Sequence, residues 1–181
     1  YVIFADLTAR QEQTLKIEVA TDYVTQGKWV GKKWTCVGDS LTEANLRTTM
    51  NYHDYVANAT GITVVNMGRS GTGYKRTYDE GYAFYQRISS VPTDSDVVTI
   101  FGSGNDLLYS DNIGTPTDTF NSTNEAGNSR CACINHTIDL LIGIMPTVQL
   151  GIVAPTPWIG EKPTLDNSNS MGRYVEALRQ I

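Results

Sequence analysis

Positive charge is in short supply. Lys and Arg number 14 against 19 Asp and Glu in 181 residues, a formal net charge of −5. A chain this acidic, with a pI near 4.9, has no broad electrostatic grip on nucleic acid or on anionic lipid. Cysteine is limited to three residues, an odd and low count that excludes a disulfide scaffold. Long apolar runs are missing, and none approaches the roughly 20 residues of a membrane span. The first residues carry no basic segment followed by an apolar stretch, so no signal peptide is visible. The chain starts at Tyr1, which leads us to expect a piece of a longer protein and leaves its compartment open. Hydrophobic residues at 40% and charged residues at 18% suit one folded domain with its own core.

Residues 1–32 read as a β-rich appendage or linker, with strand-like runs in YVIFADL and TLKIEVA. From Lys33 the pattern becomes regular. WTCVGD, ITVVNMG, DVVTIFG and TVQLGIVAP are short apolar runs that read as strands. Between and after them, helices are expected over Thr42–Thr60, Glu80–Ile88, Cys131–Met145 and Met171–Ile181. In the first, Tyr52, Tyr55, Val56 and Ala59 share a helical spacing; in the last, Met171, Tyr174, Val175, Leu178 and Ile181 do. Strands alternating with helices predict an α/β fold with a parallel sheet covered on both faces. Ligands of such sheets bind at the carboxyl ends of the strands. Four segments sit there: Gly38-Asp39-Ser40-Leu41-Thr42, Asn66-Met67-Gly68-Arg69-Ser70-Gly71, Gly102-Ser103-Gly104-Asn105-Asp106 and Pro155-Thr156-Pro157-Trp158.

The first three of these segments resemble the motifs of the GDSL/SGNH hydrolases, a family of serine esterases and acylhydrolases. GDSLT is matched as written, N-x-G-x-S-G follows the second strand, and Asn-Asp closes the third block as in the family's G-x-N-D. Ser103 stands where the family usually has glycine. The resemblance covers Lys33 to Ile181 and implies a flavodoxin-like, three-layer α/β/α sandwich. It implies Ser40 as nucleophile, with the Ser40 N–H, the Gly71 N–H and the Asn105 side-chain amide as oxyanion donors. The chemistry agrees. A serine at a strand-to-helix turn is well presented for attack. Gly71 has no side chain to shield its N–H, and the Asn105 amide cannot ionise. Asp39 and Asp106 are expected to brace loops. Singly, Ser40 also reads as a helix cap, Gly71 as a turn residue and Asn105 as an Asx turn. Three blocks in order at three strand ends favour the hydrolase.

The resemblance also implies a base, the His of a D-x-x-H block after a fifth strand. No D-x-x-H occurs in this sequence, and the two histidines are His53, within the first predicted helix, and His136, at the start of the third. We therefore expect the last strand and the His-bearing segment to be absent from this stretch of chain. The expected substrate is a small-molecule or carbohydrate ester with a short acyl group such as acetyl. A catalytically inactive carbohydrate-binding or structural module on the same fold is the alternative. The appended first 32 residues suit a modular extracellular, cell-surface or virion-associated protein, with further domains as partners.

Other signals carry less. Cys131-Ala-Cys133 with His136 lacks the remaining ligands of a zinc site. The glycines from Gly68 to Gly73 lack the Gly-Lys-Ser/Thr ending of a phosphate loop. Neither a metal nor an organic cofactor is expected. The long polar stretch from Ser103 to Arg130 reads either as a rim over the crevice or as a mobile surface excursion.

Overall fold

A computed structural model describes residues 27–75, 82–106, 112–156 and 170–181. The strand-like runs of the first 20 residues lie outside the described residues, as does Trp158. Four parallel strands form one sheet: β1 (Lys33–Gly38), β2 (Thr63–Gly68), β3 (Val97–Phe101) and β4 (Gln149–Val153), in the order β2-β1-β3-β4. The helices are α1 (Tyr52–Thr60), a single turn α2 (Phe84–Arg87) running into a 3-10 turn, α3 (Arg130–Ile144) and α4 (Ser170–Gln180). This is the expected α/β/α sandwich, in the strand order of the flavodoxin-like fold.

Alternation along β1 sorts side chains to the two faces. Val37, with Val98 and Ile100 of β3, packs on Phe84 of α2, Ile134 and Leu141 of α3, and Tyr174 of α4. Trp34 and Cys36 face the other way, onto Ile62 and, from α1, Tyr52 and Val56. β1 is thus buried on both faces, which is why it reads as a continuous apolar run. Its polar groups are paired within the core, Trp34 Nε1 donating to Thr99 Oγ1 at 2.9 Å and Thr35 Oγ1 lying 2.8 Å from Ser95 Oγ. The three cysteines are free and buried, and burial pushes the Cys36 and Cys133 thiols up to about 12.

The structure corrects the first helix. α1 begins at Tyr52, not near Thr42. The intervening residues are held by short-range side-chain bonds: Asn45 Nδ2 to the Ser40 carbonyl at 2.8 Å, and Thr48 Oγ1 to Asn51 Oδ1 at 2.9 Å. Such Asn and Thr bonds compete with the helical ladder. The helix then starts where Asp54 Oδ2 accepts the Asn51 N–H at 2.8 Å, and ends at Gly61, whose φ of 72° closes it. Its buried face is also turned from the expected one. Tyr55 is 61% exposed, whereas His53 is buried. After the third strand, residues 112–129 form an internally bonded loop: the Asn128 side chain accepts the Asn121 N–H and donates to the Asn121 carbonyl, and Ile113 enters the core. α3 starts one residue early, because Ser129 caps it by accepting the Ala132 N–H, and His136 consequently lies in its second turn.

Candidate active site

The chain leaves β1, forms β2 on one side, then crosses to β3 on the other side of β1. A crevice opens at such a reversal, beyond the carboxyl ends of the strands. Gly38 is in register with Gly68 of β2 and with Phe101 of β3, so the three following loops leave the sheet at one level. Ser40 lies two residues beyond β1 and is half-buried. Its turn is closed by the N–H groups of Thr42 and Glu43, both donating to the Asp39 carbonyl at 3.0 Å. That turn lies against β2 so tightly that a Cβ on Gly68 would sit 2.2 Å from the Glu43 nitrogen. Among the described residues, no hydrogen bond claims the Ser40 hydroxyl, the Ser40 N–H or the Gly71 N–H.

Gly71 adopts φ +75°, a left-handed conformation, and a Cβ there would meet nothing within 4 Å. The demand on this position is conformational, not steric. The preceding residue is anchored to the Ser40 turn: the Ser70 N–H donates to Glu43 Oε2 at 3.2 Å, and so does its hydroxyl. Asn105 is half-buried, and its Nδ2 donates to the Thr72 carbonyl at 2.8 Å, joining the third loop to the second. An amide nitrogen carries two protons. One is committed to Thr72, and its direction fixes where the other points. The loops bearing Ser40, Gly71 and Asn105 are therefore cross-linked to one another.

Two carboxylates support them, as expected of loop braces. Asp39 Oδ1 accepts the Leu41 N–H and its Oδ2 accepts the Ser103 hydroxyl, both at 2.9 Å. Burial pushes the Asp39 carboxyl above its ordinary range; these donors and the charge of Arg87 oppose that rise. Asp106 receives the N–H groups of Tyr74 and Lys75, each at 3.0 Å, and the Tyr174 hydroxyl at 3.4 Å. Its complete burial pushes the carboxyl up to about 6, although those donors and the Arg130 charge favour the ionised form. Sequence reasoning overlooked Arg87, whose guanidinium reaches under the sheet end from α2. It donates to the carbonyls of Gly38, at 2.7 Å, and Met67, and to Thr72 Oγ1 at 3.3 Å. Burial, then the nearby Arg69 charge, pulls it down to about 10, so it stays cationic at neutral pH. An arginine at the end of a predicted helix gives no hint of this reach.

Neither histidine is hydrogen-bonded to Ser40 among the described residues. His53 Nε2 lies 3.0 Å from the Thr42 carbonyl and 3.1 Å from Asn66 Nδ2, and its Nδ1 lies 3.1 Å from Asp54 Oδ1. His136 stacks on Phe120 with ring centroids 4.1 Å apart. A separate cavity, lined by Ser95, Asp96, Met145 and Thr147, opens at the amino-terminal ends of β3 and β4, away from these loops.

The sequence profile of the GDSL-like Lipase/Acylhydrolase family matches residues 36–181. The chain belongs to this family. Among solved structures, a protein from Lactobacillus plantarum is similar with a TM-score of 0.65 at 23% identity, over 82% of this chain and 71% of that one. A Bacteroides ovatus protein provisionally assigned as a GDSL-like lipase superposes with a TM-score of 0.59 at 16% identity, over 81% and 79% of the two chains. A Desulfitobacterium hafniense protein, provisionally assigned as a lipolytic protein of the G-D-S-L family, gives 0.52 at 17% identity, over 82% and 70%. At these identities the likeness is one of fold. No curated protein matches the chain. The GDSL block of this family member forms the turn at Ser40, its N-x-G-x-S-G block the turn at Gly71, and its Asn-Asp pair the loop at Asn105.

Proposed function

We propose that this GDSL-family hydrolase cleaves carboxylic esters through an acyl-serine intermediate, with Ser40 as nucleophile. One observation carries the reading. An unclaimed, half-buried serine hydroxyl at the strand-order reversal shares cross-linked loops with two unclaimed backbone N–H groups and an oriented amide. The Ser40 oxygen attacks the ester carbonyl carbon, and its proton passes to a base. The carbonyl oxygen becomes an oxyanion, met by the N–H groups of Ser40 and Gly71 and by the second Asn105 amide proton. Collapse breaks the ester C–O bond, and the alcohol leaves with the proton held by the base. Water then attacks the acyl carbon by the same route, releasing the acid and restoring Ser40.

The base in this proposal is the histidine of the family's D-x-x-H block, supplied by chain outside these 181 residues. His53 is committed to Thr42, Asn66 and Asp54. A short acyl group, such as an acetyl ester of a carbohydrate, suits loops built from Arg69-Ser70-Gly71-Thr72 and Ser103-Gly104-Asn105, which offer little apolar surface. Leu41, half-exposed beside Ser40, supplies one apolar contact.

The test is p-nitrophenyl acetate hydrolysis and fluorophosphonate labelling by the natural protein, including any chain that adjoins these residues. Label on Ser40 and loss of turnover in Ser40→Ala support the reading. Equal turnover in Ser40→Ala, or label on another residue, overturns it. Carbohydrate binding with no turnover and no label would favour the inactive module.

A further inference from the structure

Ser103 departs from the glycine usual in the family's third block, and it is fully buried. Its hydroxyl has three partners: Asp39 Oδ2 and the Thr72 carbonyl, both at 2.9 Å, and the Asn105 N–H, which it accepts at 3.0 Å. A hydroxyl has one proton to give. The Thr72 carbonyl already receives the Asn105 amide. A carboxylate is the stronger acceptor, so the Ser103 proton goes to Asp39. The other oxygen of Asp39 holds the Leu41 N–H, next to Ser40. One continuous path, Leu41 to Asp39 to Ser103 to Asn105, thus spans the nucleophile turn and the third loop. Asn105 is gripped twice, through its backbone by Ser103 and through its side chain by Thr72.

We infer that Ser103 is a positioning residue whose hydroxyl, through Asp39, holds the Asn105 amide in register with Ser40. The inference rests on the proposed roles of Ser40 and Asn105. It assigns a function to a side chain that a glycine in the same block lacks. Because the amide acts on the oxyanion, loosening it weakens the transition state and leaves the bound ester largely untouched.

The experiment is steady-state hydrolysis of p-nitrophenyl acetate by the natural protein and its Ser103→Ala, Asp39→Ala and Asp39→Asn variants, with thermal unfolding measured for each. In Ser103→Ala, kcat is expected to fall about 10- to 50-fold with KM within about twofold. Asp39→Ala, which also frees the Leu41 N–H, should lose at least as much, and the double variant should lose no more than Asp39→Ala, since both cut one path. Asp39→Asn should recover most of kcat relative to Asp39→Ala. Its oxygen still takes Leu41 N–H and its amide can donate to Ser103, whose proton then turns to Thr72. If Ser103→Ala does not fold, Ser103→Gly takes its place with the same outcomes. A folded variant with kcat within twofold of wild type, or with the loss in KM alone, overturns the inference. So does full additivity of the two alanine variants. Persistence of wild-type turnover in Ser40→Ala would instead strike the underlying reading.

Discussion

Under the proposed mechanism, replacing Asn105 by alanine should separate catalysis from stability. In the folded protein one amide proton goes to the Thr72 carbonyl; the other is the one we propose meets the oxyanion. Truncation removes both. The catalytic loss should resemble that of other single oxyanion donors, about 10²–10³ in kcat, or roughly 3–4 kcal/mol of transition-state stabilisation. The folding cost should be smaller. Thr72 loses its amide partner, and the Ser103 hydroxyl 2.9 Å away can serve it only by releasing Asp39. One buried acceptor is left short of a donor, at a cost of about 1–3 kcal/mol. Asn105→Asp should be worse than alanine in both respects, since it sets a carboxylate against the Thr72 carbonyl and against a developing oxyanion. The measurements are kcat and KM on p-nitrophenyl acetate beside urea unfolding midpoints. A fall in kcat of less than tenfold, or a stability loss well above about 3 kcal/mol, would refute the division of labour between the two amide protons.

Stability should decline as pH rises from about 4 to about 6. Asp106 holds its proton to about 6 when folded, against an ordinary value of 3.8, so the native state binds the extra proton in that window. At about 1.4 kcal/mol per pH unit the interval is worth about 3 kcal/mol, lost on raising the pH and regained on lowering it. Urea unfolding of wild type and Asp106→Asn across this range checks it: the variant should lack that component of the slope. Gly71→Ala should cost only the left-handed strain, about 1–2 kcal/mol, because its Cβ meets no atom. Gly68→Ala, whose Cβ would strike the Glu43 backbone, should displace the Ser40 turn and abolish labelling at Ser40 while Gly71→Ala retains it. Arg87→Met removes a cation shared by the Gly38 and Met67 carbonyls and should lower stability by about 3 kcal/mol or more in denaturant titration.

Much of this molecule is legible one residue at a time. The apolar runs of β1 and β3 mark strands because central parallel strands are covered on both faces; β2 and β4, at the outer positions, read as similar short β-branched runs, and the spacing of all four requires crossovers. Ser40, Gly71 and Asn105 are legible as candidates because each ends a strand within a recognisable block. Local pattern also misleads: tyrosines at helical spacing suggested a helix from Thr42, where Asn45 and Thr48 side chains hold turns instead. It cannot show that His53 turns inward, or that Arg87 of α2 caps carbonyls at residues 38 and 67. Nor can it show that Ser103 joins Asp39 to Asn105, or that Tyr174 of α4 reaches Asp106 from 68 positions away. Chain order and composition are enough to specify which atoms are available. Which donor meets which acceptor depends on loops brought together only when the sheet assembles, since hydrogen bonds act over about 3 Å and carry no trace in sequence separation.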